Sequence, residues 1–170
     1  MKPRGFVLAL AAGTLVVTIL ISASPAARAA AQAAPQSAAQ QSQAAADDPA
    51  AAVFAETCAK CHDGARITAM RRTSADWEDI IKKMIEKGAP GTEKDFETIY
   101  DYLLRHYGKL NINSAPASEI VTILGLSQKE ADGLVAYRKS NGPFADFDAV
   151  KKVPEIDGKK LDERKDAITF

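Results

Sequence analysis

Apolar residues recur at helical spacing over two stretches of this 170-residue chain, and the character of the sequence changes near residue 109. In the first stretch, Asp48-Pro49 pairs an N-cap residue with one suited to the first helical turn, and predicts a helix over Pro49–Thr57. Phe54 on that helix is a candidate to pack against a later one. Thr73 and Asp76 form a capping-box pattern, and Trp77, Ile80, Ile81, Met84 and Ile85 follow as one apolar stripe that Gly88 ends. After Gly88-Ala89-Pro90-Gly91, the residues Phe96, Ile99, Tyr100, Leu103 and Leu104 predict a third helix, closed by Gly108.

The second stretch holds two similar units. Ile120, Ile123 and Leu124 precede Leu124-Gly125-Leu126-Ser127, and Ala131, Leu134, Val135 and Tyr137 follow it. Phe147, Val150 and Val153 precede Pro154-Glu155-Ile156-Asp157, and Leu161 and Ile168 follow. Each unit predicts two short helices joined by a hairpin, with Asn141-Gly142-Pro143-Phe144 between the units. The fold class expected is all-α.

Upstream of both, composition takes over from periodicity. Lys2 and Arg4, the apolar run Phe6–Ile21 and Ala27-Arg28-Ala29 predict an export signal over residues 1–29, with an uncleaved N-terminal anchor as the other reading. Residues 30–47 are rich in Ala, Gln, Ser and Pro, without aromatic residues or periodicity, and predict a disordered tether. The expected division is therefore 1–29, 30–47, 48–108 and 109–170. The 22 basic and 22 acidic residues cancel, so net charge gives no general argument for a nucleic-acid partner.

The candidate chemistry centres on Cys58-Ala59-Lys60-Cys61-His62, which contains both cysteines of the chain. This is the C-x-x-C-H attachment pattern of one covalent haem c. Two thiols three residues apart can reach the vinyl groups on one porphyrin edge, and His62 is then held at the iron as the proximal ligand. A redox-active dithiol ordinarily accompanies a βαβ pattern, which is not visible here. A structural zinc site wants four ligands, and an exported disulfide is the remaining simple reading. Three helices around one such motif make a minimal class I type cytochrome c, its first and last helices crossing.

The second axial ligand has three candidates beyond an open site. Met70 lies only eight residues after His62, which leaves little chain to pass around the macrocycle. His106 reads as a surface histidine near a helix C-terminus. Met84 has enough intervening chain and sits on the apolar stripe, where a methionine also serves as plain core.

Cys58–His62, Arg71-Arg72-Thr73, Trp77, Met84, Gly88-Ala89 and the Ile99–Leu103 helix together resemble the small haem c domain of quinohaemoprotein amine dehydrogenases and of sulfite dehydrogenase cytochrome subunits. That resemblance covers about 53–108. It implies electron relay, with Met84 as the distal ligand. Asn111-Ile112-Asn113, Ala131, Ala136-Tyr137-Arg138, Asn141-Gly142-Pro143-Phe144 and Lys165-Asp166-Ala167-Ile168 resemble the tandem helix-hairpin-helix domain of ComEA-like competence proteins. In that family a Gly-hydrophobic-Gly hairpin presents backbone N–H groups to a DNA phosphate.

Here the first hairpin keeps Gly125 but has Ser127, and the second has Glu155 and Asp157. The region also holds ten basic and ten acidic residues. Gly125, Ser127 and Lys129 are thus the candidate DNA contacts, but carboxylates near a phosphate and a neutral balance favour protein docking or spacing. The reading is an extracytoplasmic, non-enzymatic electron carrier. Its partner is an extracytoplasmic dehydrogenase or respiratory complex, with a membrane tether if the N-terminus stays uncleaved. The alternatives are a ComEA-like DNA-binding protein with an added haem domain, and a haem sensor or enzyme with an open distal site.

Overall fold

The computed structural model describes residues 40–170, all within one compact unit; the expected signal lies outside them. Helix is continuous over residues 40–46, here α1. Part of the expected tether is therefore ordered. Ala and Gln are strong helix formers, and the segment has partners: Ala45 is 2 % exposed and Gln41 Oε1 accepts from Arg71 Nη2 at 2.8 Å. A segment with one small buried residue shows no apolar stripe, which is why periodicity missed it.

The haem-like half follows as α2 (Ala50–Cys58), α3 (Gly64–Thr68), α4 (Ser74–Glu86) and α5 (Glu93–Tyr107). Capping boxes start α4, at Thr73 with Asp76, and α5, at Thr92 with Asp95. The first and last of the three expected helices, α2 and α5, pack together, with the Phe54 and Tyr102 ring centroids 5.3 Å apart. Trp77 on α4 is fully buried, and its Nε1–H donates to Tyr107 O at 3.1 Å.

The second half comprises α6 (Ala117–Leu124), α7 (Gln128–Asn141), α8 (Phe147–Lys151) and α9 (Gly158–Glu163), with hairpins where the sequence pattern put them. A two-residue parallel pair, β1 (Leu110–Asn111) and β2 (Ile168–Thr169), closes this half. Strands this short carry no alternation to read.

The halves share one hydrophobic core. α5 packs on α6. A Cβ at Gly108 would lie 2.4 Å from Leu104 O and 2.9 Å from Ile123 Cγ1, so only glycine lets the α5 terminus approach α6 this closely. Arg71 braces the junction: its Nε donates to Asp166 Oδ2 at 2.7 Å, and Nη1 donates to His106 O at 2.9 Å and Gly108 O at 3.2 Å.

Candidate haem site and hairpin region

Helix α2 ends at Cys58, and the following turn carries Cys61 and His62. Asp63 then caps α3 by accepting from Ala65 N–H at 2.9 Å. That cap is a legible start signal, but α3 has five residues and buries none of them, so no stripe announces it. Both cysteines are free thiols, Cys58 half-buried and Cys61 exposed. Burial pushes the Cys58 thiol up from its ordinary value.

Cys58, Cys61, His62 and Met84 line one cavity of about 310 Å³. Its walls include Ile67, Ile80, Ile81, Phe96 and Leu103. The donor set of two thiols, an imidazole and a thioether around an apolar space matches what a covalently attached haem requires. Met84, from the third turn of α4, is the methionine that shares the space with His62. Met70 is 60 % exposed and outside it.

His106 corrects its reading as a surface histidine. Its side chain is 10 % exposed and its Nε2 lies 2.8 Å from Asp48 Oδ2, so the atom that could reach a metal faces a carboxylate instead. The carboxylate comes from 58 residues away in sequence, so spacing within the last helix could not reveal it.

The hairpin candidates are also brought together. Gly125 ends α6 in the left-handed region at φ 68°. Glu155 adopts φ 64° at the matching place in the second hairpin, so it has taken over a glycine's conformation. Ser127 and Asp157, which replace the later glycines, are N-caps of α7 and α9: Ser127 accepts from Glu130 N–H, and Asp157 from Lys159 and Lys160 N–H.

Glu130 joins the hairpins. Its Oε2 accepts from Ser127 N–H at 2.7 Å, and its Oε1 from Asp157 N–H at 2.9 Å. The Ser127 hydroxyl and the two backbone N–H groups hold the Glu130 carboxyl down at about 2. Lys129 pairs with Glu155 at 2.7 Å on the exposed surface. A carboxylate of the chain itself thus occupies one backbone N–H group of each hairpin.

Family models match two stretches of the chain. A model described as quinohemoprotein amine dehydrogenase A, alpha subunit, haem binding, matches residues 14–96, and a helix-hairpin-helix motif model matches residues 106–169. The chain carries a haem-binding domain and a helix-hairpin-helix motif.

Curated relatives match about a third of it. An uncharacterized protein of Haemophilus influenzae is 38% identical over 63 residues, which are 36% of this chain and 56% of that protein. ComE operon protein 1 of Bacillus subtilis is 35% identical over 60 residues, 35% of this chain and 29% of its own length. Endonuclease/exonuclease/phosphatase family domain-containing protein 1 of Xenopus laevis is 34% identical over 55 residues, 32% of this chain and 10% of its own. The chain therefore spans little more than half of the first relative and less of the others. No solved structure matches it.

Proposed function

We propose that the protein is an extracytoplasmic electron carrier with one covalent haem c, not an enzyme, and that its helix-hairpin-helix half docks a redox partner. The observation that carries this is that Cys58, Cys61, His62 and Met84 line one apolar cavity. A bound haem c supplies a reversible one-electron couple. The Cys58 and Cys61 thiols would hold it by thioethers, formed when each S–H adds across a vinyl group. His62 and Met84 would hold the iron, leaving no position for substrate. The apolar walls formed by Ile67, Ile80, Ile81, Phe96 and Leu103 would limit water around a bound haem, which would favour its less charged ferrous state.

Glu130 supports protein docking over DNA binding, because it already uses backbone N–H groups of both hairpins. The resemblance of the haem half to a dehydrogenase component supports a dehydrogenase or respiratory complex as partner. Delivery outside the cytoplasm rests on the charged and apolar pattern of residues 1–29, which also leaves a membrane tether as a variant of the proposal. The competing reading, a DNA-binding protein with an added haem domain, draws on the ComE operon relative.

The test is a haem stain after denaturing electrophoresis, with an absorbance spectrum of the exported protein. Wild type should retain haem, and Cys58→Ser with Cys61→Ser should abolish it. Haem retained by the double variant would overturn covalent attachment.

A further inference from the structure

Glu78, Ile81, Lys82, Ile85 and Glu86 recur at three- and four-residue spacing, which places them on one face of α4. Glu93, Phe96, Glu97 and Tyr100 do the same on α5, and the two faces border one surface groove of about 860 Å³. Its lining comes from α4, α5 and the turn at Gly91, and from no other described element. Ile85 closes the apolar stripe of α4 yet is 47 % exposed, one of three large hydrophobic residues so placed among the described residues. Ile81, Phe96 and Tyr100 beside it are half-buried.

The floor of the groove is apolar and its rim is acidic. Glu78 and Glu86 flank it on α4 and Glu93 and Glu97 on α5, against the ammonium of Lys82. Lys94 reaches Glu97 at 3.3 Å, but both side chains are exposed, so that pair is weak in water. The Tyr100 phenol registers the field: burial, then the charges of Glu78, Glu119 and Asp101, push it up from its ordinary value. Carboxylates along both lips repel an anionic surface and favour a cationic one. Two neighbouring helices form a valley that a third helix fills with side chains at i, i+3, i+4 and i+7. From Glu78 to Glu86 the stripe runs about 12 Å, a little over two turns. An extended segment would need a free sheet edge, and neither wall is a strand.

We propose that this groove docks an amphipathic helix of a partner protein, its apolar residues on Ile81, Ile85, Phe96 and Tyr100 and its lysines or arginines along the four carboxylates. The proposal rests on α4 and α5 and not on the haem reading. The groove is a second docking face, since no residue of the helix-hairpin-helix half lines it. Ile81 and Phe96 also line the cavity of the two thiols, so a docked helix lies one layer of side chains from that cavity.

The experiment uses the full-length protein and two fluorescent peptides of about 15 residues with leucines at helical spacing. One peptide carries lysines between the leucines and the other carries glutamates. Binding is followed by anisotropy at about 50 and 300 mM salt. The lysine peptide should bind, more weakly at high salt, and the glutamate peptide should not. Ile85→Ser should weaken the lysine peptide at least tenfold. Glu93→Lys with Glu97→Lys should weaken it at least tenfold and admit the glutamate peptide. Equal affinity of wild type and both variants would overturn the proposal, as would equal affinity for the two peptides or none for the lysine peptide.

Amide shifts of reduced, nitrogen-15-labelled wild type keep the test independent of how well the variants accumulate. The lysine peptide should move residues of α4 and α5, and shifts confined to α6–α9 defeat the proposal. Two other occupants are tested in parallel. Sedimentation should give the same mass for wild type and Ile85→Ser, and a dimer that Ile85→Ser dissociates assigns the groove to a second copy instead. Vesicles of phosphatidylcholine with phosphatidylserine should not bind, and binding that Ile85→Ser abolishes assigns it to a membrane instead. Haem content, measured on the same samples, bears on the haem reading alone.

Discussion

His106 donates Nε2–H to Asp48 Oδ2 over 2.8 Å, joining the last turn of α5 to the start of α2. Arg105 Nη2 meets the same oxygen at 3.0 Å, and Ala50 N–H donates to Oδ1 at 2.9 Å. Burial pushes the Asp48 carboxyl up, but His106, Ala50 and Arg105 outweigh it and hold it at about 2, below its usual 3.8. Burial also keeps His106 below its usual 6.5 despite Asp48, so the imidazole donates as the neutral Nε2–H tautomer.

Both groups act on acid stability in the same direction. As pH falls below 6.5 the unfolded chain protonates His106 first, so stability declines from there down through the folded value. Asp48 contributes above its unfolded 3.8, and that contribution is lost as pH falls toward about 2. The expected profile is flat above neutrality with two acid descents. Asp48→Asn should cost about 1–2 kcal/mol at pH 7 after allowance for solvent screening and should shrink the lower descent, to which Glu130 also contributes. Urea midpoints followed by circular dichroism from pH 2 to 8 check this (the range brackets both values, of order 2 and 6.5). An Asp48→Asn profile identical to wild type would sink it.

Met84, and not Met70, should control the iron. Met84→Ala should lower the midpoint potential by a sizeable part of the roughly 0.8 V span that axial ligands govern, and should let added imidazole bind. Met70→Ala should change neither, since Met70 is 60 % exposed away from the cavity. Redox titration of both variants checks this, and the reverse pattern would move the ligand assignment to Met70.

Glu155 holds a left-handed conformation that glycine adopts without strain. Glu155→Gly relieves that strain at the expense of an exposed pair with Lys129, which is weak in water. The melting temperature should rise by about 2–4 °C. A fall would show that the Lys129–Glu155 pair matters more than backbone strain. DNA affinity of the full chain should stay in the non-specific range, about 10⁻⁴ to 10⁻⁶ M at physiological salt. Adding Asp157→Gly should strengthen it, because two carboxylates leave the hairpin. Tight, steeply salt-dependent binding by wild type would promote the DNA reading.

Gly108→Ala should destabilise the whole unit by about 2–4 kcal/mol, since its Cβ would meet the Leu104 carbonyl and the Ile123 side chain. Both halves should then unfold together in a thermal scan followed by far-ultraviolet and haem absorbance. Two separate transitions in wild type would contradict the shared core.

The legible parts of this chain were those encoded locally. Trp77, Ile80 and Ile81 form a stripe behind a capping box, and α4 appears where they place it. The paired hairpins follow from apolar residues flanking Gly125 and Pro154. Cys58, Cys61 and His62 announce themselves by spacing. What stayed hidden depends on partners far along the chain or on segments too short to show a period. Nothing near His106 reveals that Asp48 will face it, and nothing in Arg71-Arg72 says which guanidinium spends its donors across the junction. The roles of Ser127 and Asp157 as N-caps could have been read, because both are good capping residues just before a helix. The loss of glycine there drew attention first.

The pairing of Leu110 with Ile168 has a consequence for synthesis. Thr169 Oγ1 donates to Leu110 O at 3.0 Å across 59 residues of sequence. Closing so long a loop is slow relative to forming the helices inside it. A ribosome delivers Leu110 long before Ile168 and Thr169, so β1 waits unpaired until they have emerged. Chains that lack Ile168 and Thr169 would carry α1 to α9 and both cysteines yet no β2, and should be the species that quality-control proteases remove.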